Sequence, residues 1–240
     1  ALPIGGIVMV LERMNRILEL DTDNLCAVVE TGVITAHLQE AAARAGLFYP
    51  PDPASQAFST IGGNIAENAG GMRGAKYGVT KQYVLGLEIV LPNGDLVTLG
   101  SKCIKDVAGY SMTELFVGSE GTFGIITRAI VRLVTLPETV KTLAVCFGSI
   151  QDAGRVVPLL MKSGVVPCTL EFIDAACLKA VQDMGLADGV EQQIHKETKA
   201  MLLIEVDGSA YEVDRDAAIV LKICEGAGML SFRLARDSEE

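Results

Sequence analysis

Between Thr60 and Gly78 the chain reads TIGGNIAENAGGMRGAKYG, and six of these nineteen residues are glycine, at positions 62, 63, 70, 71, 74 and 78. Glycine clusters outside hairpin turns let the backbone approach another group closely. A run such as Gly62-Gly63-Asn64 is able to aim successive N–H groups into a concavity, and such a nest binds anionic oxygen. Asn64 and Asn68 add amide groups four residues apart, on one face if the segment is helical. The segment thus has the parts to hold a polar, phosphorylated or multi-ring ligand. It also fits a sharp structural loop whose glycines serve only tight packing. A second cluster, Gly118 to Gly124 (GSEGTFG), runs directly into the β-rich stretch Ile125 to Leu133.

The flanking sequence places these clusters among regular elements. Strands are predicted at Ile7–Leu11, Cys26–Glu30 (closed by Thr31-Gly32) and Val84–Leu91. Pro92-Asn93-Gly94-Asp95 turns the last of these back into Leu96–Leu99 as a hairpin. Thr35 to Ala45 reads as a helix with Leu38, Ala42 and Ala45 at helical spacing and Gly46 beyond its end. Pro50, Pro51 and Pro53 fix an extended loop. After Pro137 the texture changes. Strands at Leu143–Phe147, Cys168–Ile173, Met201–Val206 and Met229–Leu234 alternate with helices. The helices begin at Ser149 (with Asp152), Asp174 and Ser209 (with Glu212), the serines as capping boxes. Val213, Ala217, Val220, Leu221 and Cys224 form one stripe. Apart from inserted helices near 174–195, this half is strand-helix-strand written twice, as in a split βαβ, ferredoxin-like sandwich.

Composition removes several function classes. The formal charge is −10, which opposes a nucleic-acid binder, and the scarcity of aromatics with no Trp opposes base stacking. The apolar stretch Ile4–Leu11 is eight residues long, far short of the roughly 20 that a spanning helix needs. It also lacks the basic flank and cleavage site of a signal peptide, and a cytoplasmic location is the expectation, in keeping with reduced thiols. The six cysteines contain no CxxC pair and read as reduced, buried thiols without a metal site. His37 falls on the polar face of its helix and His195 in a charged stretch, so neither reads as a catalyst. GxGxxG after a strand, GxxxxGK[ST] and GxSxG are all missing. Glu67 and Glu120 lie inside the glycine segments, with nothing to fix their separation as a carboxylate pair. The start at Ala1-Leu2-Pro3 and the stop at Asp237-Ser238-Glu239-Glu240 read as cuts inside a larger protein.

Several motifs taken together resemble a known family. They are Pro50-Pro51-Asp52-Pro53-Ala54-Ser55, Ser59 to Gly71, Lys76-Tyr77-Gly78, Gly109-Tyr110, and Leu115 to Thr127 (LFVGSEGTFGIIT). They are similar to the vanillyl-alcohol oxidase (PCMH-type) family of FAD-linked oxidases. The order and spacing resemble the branch that oxidises D-2-hydroxy acids, which includes the FAD-binding subunit of glycolate oxidase, D-lactate dehydrogenase and D-2-hydroxyglutarate dehydrogenase. The resemblance implies an α+β chain: a partial PCMH-type FAD-binding domain over residues 1–136, followed by part of a ferredoxin-like α/β cap domain over 137–240.

It also implies non-covalent FAD, since neither histidine matches a flavin-linking position. Gly62, Gly63, Asn64, Ala66 and Asn68 would approach the pyrophosphate, ribityl chain and ring. Gly70, Gly71, Gly74, Tyr77 and Gly78 would continue the wall, with Pro53, Ser55 and Thr60 at its entrance. Glu120, Gly121 and Gly124 would lie near the cofactor, and Ile125, Ile126 and Thr127 would present backbone to the adenine end. The family's glycine-rich pyrophosphate loop precedes the Ala1 equivalent, and its substrate-carboxylate and metal groups follow the Glu240 equivalent. No residue of this chain is therefore expected to be catalytic. The implied activity is hydride transfer from the Cα of a small 2-hydroxy acid, glycolate or D-lactate, to flavin N5. The implied partners are an iron–sulfur subunit and a second flavin-type subunit of a glycolate oxidase complex, through which the chain would lie peripheral to the membrane. Two other expectations stay open, a D-2-hydroxyglutarate dehydrogenase and a non-catalytic flavin-binding subunit.

Overall fold

The computed structural model describes residues 5–184 and 195–235. The chain divides into two compact units, one of Ala1–Gly71 with Tyr77–Leu136 and the other of Met72–Lys76 with Pro137–Glu240. Among the described residues no helix is long and apolar enough to cross a membrane.

The first unit holds strands β1 (Ile17–Asp21), β2 (Cys26–Glu30), β3 (Leu47–Phe48), β4 (Val84–Val90), β5 (Leu96–Gly100), β6 (Ile125–Arg132) and β7 (Val134–Thr135). Five of them form one antiparallel sheet in the order β1-β2-β6-β4-β5, and β3 pairs with β7. Helix α1 (Thr35–Arg44) buries Leu38 and Ala42, and Gly46 takes the left-handed conformation (φ 73°) that ends it. Short helices α2 (Ile61–Glu67) and α4 (Met112–Phe116) carry much of the remaining chain, and α3 (Gly74–Tyr77) lies where the chain returns from the second unit to the first. The core joins Val29, Leu38, Ile61, Ile65, Leu87, Ile89 and Val131. Each large apolar side chain buried there contributes roughly 1.5–3 kcal/mol. The hairpin closes as its Asn-Gly signal predicts, with Gly94 at φ 90° and Leu91 N–H donating to Asp95 O at 2.9 Å.

Tyr49 is fully buried in this core and packs edge-on against Tyr83 at 6.1 Å. Its hydroxyl meets no hydrogen-bond partner, and burial pushes its pKa up. An unpaired buried hydroxyl costs about 1–3 kcal/mol. Tyr49→Phe is therefore expected to leave stability unchanged or to raise it by about 1 kcal/mol in urea unfolding. A clear loss would show that the hydroxyl is satisfied in solution.

The second unit holds β8 (Thr139–Phe147), α5 (Ile150–Ser163), β9 (Thr169–Asp174), α6 (Ala175–Asp183), β10 (Ala200–Gly208), α7 (Ala210–Gly226) and β11 (Met229–Leu234). The sheet is antiparallel in the order β11-β8-β10-β9, the fourth-first-third-second order of a ferredoxin-like sandwich. Ser149 and Asp174 accept the expected capping bonds from Asp152 N–H and Cys177 N–H, and Ser209 with Glu212 closes a full capping box. One sheet face, with Leu143, Val145, Leu202 and Ile204, meets Val156 and Leu160 of α5 and Val213 and Val220 of α7. Along β10, Glu205 accepts from Thr142 Oγ1 (2.9 Å) and Thr169 Oγ1 (2.7 Å). Lys76 Nζ binds the nearly buried Asp207, at its carboxylate (2.5 Å) and backbone oxygen (2.8 Å).

Two expectations fail. Ile7–Leu11 is not a strand, and Ile7, Val8, Met9 and Val10 are exposed. Among the described residues no strand lies beside this segment, so its backbone groups have no ladder to join. The edge strand is instead β1, whose Leu20 pairs with Ala27. The cysteines are not uniformly buried either. Cys26, Cys146, Cys168 and Cys224 are, but Cys103 lies in irregular chain after β5 and Cys177 on the first turn of α6, both exposed. Alkylation at pH 8 followed by peptide mapping should modify Cys103 first. Cys177 should follow, its pKa raised by Asp174. Cys168, pushed up to about 12 chiefly by burial, should stay unmodified until the protein unfolds. Native-state labelling of Cys168 would contradict the packing around β10. Of the helices expected near 174–195, α6 forms, and residues 185–194 lie outside the described residues, as do Ala1–Pro3 and the terminal Asp237–Glu240.

Candidate cofactor site

The two glycine clusters are brought together by backbone hydrogen bonds. Helix α2 starts at Thr60, whose hydroxyl accepts from Gly63 N–H (3.1 Å), and ends at Asn68 in the left-handed conformation. Its last carbonyls would otherwise be orphaned. Instead Ile65 O accepts from Gly118 N–H (2.9 Å) and Ala66 O from Glu120 N–H (3.0 Å). The chain reverses through Glu120 (φ 51°) and Gly121 (φ 73°) and enters β6. Behind α2 stands the end of β2. Gly62 N–H donates to Thr31 O (2.8 Å), and Thr31 N–H donates to Thr127 O (3.2 Å).

These elements enclose a cavity of about 390 Å³. One wall is Thr60, Gly62, Gly63 and Ala66, and a second is Gly121, Gly124, Ile125 and Ile126. Met9, Leu11, Glu12, Thr31 and Gly32 complete it. The size lies in the range of small-molecule and cofactor sites. Glycine is required at three lining positions by close approach. A Cβ on Gly62 would stand 2.5 Å from Thr31 Cβ, one on Gly32 2.5 Å from Leu11 O, and one on Gly124 2.8 Å from Val90 O. Gly63 differs, because a Cβ there would meet only Thr60 Oγ1, at 3.2 Å. Its missing side chain leaves room on the cavity side.

The expected nest does not form. Gly62, Gly63 and Asn64 donate their N–H groups to Thr31 O, Thr60 Oγ1 and Thr60 O, so none is offered to an anion. Helix formation claimed these donors, an outcome that glycine content alone does not reveal. Among the described residues no cationic side chain lines the cavity, and Glu12 places a carboxylate at its wall. Glycine faces, Ile125, Ile126 and a buried unpartnered hydroxyl on Thr31 suit the ring and hydroxyl-bearing parts of a flavin dinucleotide. They offer no charge to its diphosphate.

The cavity brings together eight of the residues expected from the sequence: Thr60, Gly62, Gly63, Ala66, Gly121, Gly124, Ile125 and Ile126. The others do not line it. Asn64 is buried and donates to Thr35 Oγ1 (2.7 Å), and Asn68 Oδ1 accepts from Lys81 N–H (2.9 Å). Pro53 O and Ser55 O accept from Gln56 N–H and Phe58 N–H in the proline-rich loop. Gly70 packs on Val79, Gly71 on Asp52 and Gly78 on Gln82. Tyr77 stacks edge-on with Phe48, Thr127 Oγ1 donates to Glu88 (2.7 Å), and Gly74 belongs to the second unit. Met9, Leu11, Glu12, Thr31 and Gly32 were not anticipated as lining. The available signal was Thr31-Gly32, a turn closing β2. His37 is exposed on α1, and no histidine lines the cavity.

Residues 1–100 match the FAD binding domain family, and residues 136–240 match the C-terminal domain of FAD linked oxidases. The chain is 48% identical over 236 residues to glycolate oxidase subunit GlcD of Bacillus subtilis, covering 98% of this chain and 49% of that protein. It is 38% identical to D-lactate dehydrogenase of Anaerostipes hadrus, covering 88% of this chain and 45% of that one. The chain thus spans about half the length of these curated relatives. Among solved structures, alkyldihydroxyacetonephosphate synthase superposes with a TM-score of 0.78 at 23% identity, over 95% of this chain and 43% of its own. That likeness concerns the fold. With both domain types in order and these relatives across nearly its whole length, the chain belongs to the FAD-linked oxidase family.

Proposed function

We propose that this chain is the flavin-binding and cap portion of an FAD-dependent oxidoreductase that oxidises a small 2-hydroxy acid, glycolate or D-lactate. The observation that carries the reading is the cavity between α2, within the stretch matching an FAD binding domain, and the start of β6, which follows that stretch in the same compact unit. Residues 1–136 are assigned to the FAD-binding domain and 137–240 to the cap. When bound, the flavin supplies a two-electron acceptor for the substrate's Cα hydrogen. The chain's own part is to bind and orient. Gly62, Gly63 and Gly121 let the backbone come within contact distance of the cofactor, and Ile125 and Ile126 keep water from that wall.

Non-covalent attachment of the flavin is part of this proposal. The Bacillus subtilis relative is named as a subunit, which supports assembly into a larger oxidase complex; an iron–sulfur subunit as the electron acceptor and a peripheral position at the membrane belong to the same proposal. The test is to purify the intact gene product, record its visible absorption, and add glycolate or D-lactate without oxygen. Bleaching by one acid is the expected result. A flavin that stays oxidised with both would overturn the substrate class. A colourless protein that takes up no added FAD would overturn the cofactor assignment.

A further inference from the structure

The cavity wall carries three polar side chains, Glu12, Thr31 and Thr60. Glu12 is exposed, and the Thr60 hydroxyl is occupied by Gly63 N–H. Thr31 is 2% exposed, both of its backbone groups are bonded, and its hydroxyl has no partner. Buried hydroxyls are ordinarily hydrogen-bonded, and an exception calls for a cause. Packing does not supply one. Valine has the same shape and would fill the space against Gly62, whose Cα leaves no room for a further carbon beside Thr31 Cβ and Cγ2. Thr31 lines the cavity, and a rotation about χ1 to another staggered state would carry its hydroxyl to a new position.

We propose that Thr31 is a cofactor-positioning residue whose hydroxyl is completed by a hydrogen bond to an uncharged polar atom of the bound flavin dinucleotide, an inference that rests on the FAD reading above. The residue then acts twice. Its carbonyl oxygen holds Gly62 at the start of α2, and its side chain reads the ligand that α2 borders.

The test uses the intact protein stripped of flavin, with free FAD as the probe, and compares wild type with Thr31→Val and Thr31→Ser. Binding is read by quenching of FAD fluorescence, and the melting temperature of each flavin-free protein is read alongside. For Thr31→Val the expected result is an FAD dissociation constant raised about tenfold, the effect of one lost hydrogen bond, with a flavin-free melting temperature equal to or above wild type. For Thr31→Ser, which keeps the hydroxyl, affinity stays within about threefold of wild type. This crossed pattern, a better satisfied empty protein that binds its ligand less well, is one that a merely structural role does not produce. Equal FAD affinity of wild type and Thr31→Val would overturn the inference alone. So would a serine variant as weak as the valine, or a lowered flavin-free melting temperature for valine, which would reveal a partner already present without ligand. A wild-type protein that binds no FAD would overturn the cofactor reading and this inference with it.

Discussion

Replacing Gly63 with valine should give a folded protein that retains less than about a tenth of the wild-type flavin. The new Cβ meets only Thr60 Oγ1, at 3.2 Å, which has to yield by a few tenths of an ångström. The two methyl groups add bulk at a residue that lines the cavity. Glycine is among the poorest residues for a helix interior, so the backbone of α2 does not suffer from the change. The far-UV circular dichroism and the melting temperature of the flavin-free variant should match wild type within a few degrees. Gly62→Val provides the contrast. There the Cβ falls 2.5 Å from Thr31 Cβ and 3.0 Å from Thr31 O, and the overpacking should cost about 1–3 kcal/mol of stability as well as the flavin. Stoichiometric flavin in a well-folded Gly63→Val protein would sink the site assignment.

The second large effect is expected at Lys76. Its ammonium meets Asp207, whose side chain is 4% exposed while that of Lys76 is 32% exposed. Removing the cation from a buried carboxylate leaves a charge that water reaches poorly, and breaking such pairs costs up to about 3–5 kcal/mol. The part-exposed lysine reduces this, so Lys76→Met should lower unfolding stability by about 2–3 kcal/mol in urea. The double variant Lys76→Met with Asp207→Leu should recover part of that loss, because the stranded charge is gone. A loss under about 0.5 kcal/mol for the single variant would mean that the pair is solvated and contributes little.

Local signals carried much of the second unit. The stripe from Val213 to Cys224, the capping serines 149 and 209 and the strand-helix alternation each follow from a few adjacent residues, and all appear in the structure. The hairpin at Asn93-Gly94 and strand β2 were equally legible. The failures have non-local causes. Ile7–Leu11 has the composition of a strand, but a strand also needs a neighbour. Ile17–Asp21 is a half-exposed edge with no periodicity of its own, and only its pairing with β2 defines it. In the site, the glycine clusters pointed to the right segments. They did not reveal that α2 would consume the N–H groups of Gly62 to Asn64, because Thr31 and Thr60 supply the acceptors from opposite sides. Thr31 itself went unread since a threonine closing a strand looks like any other turn residue.

The division of the chain also bears on how such proteins can be recombined. The five residues Met72–Lys76 belong to the second unit although both of their flanks belong to the first, so the chain passes between the units after residues 71, 76 and 136. A cap unit exchanged with a relative at a single crossover near Pro137 would leave Lys76 behind and separate it from Asp207. The heritable module is therefore discontinuous. A chimera that transfers residues 137–240 together with 72–76 should fold more stably than one cut at Pro137 alone, and natural shuffling of caps among these oxidases would be constrained by the same linkage.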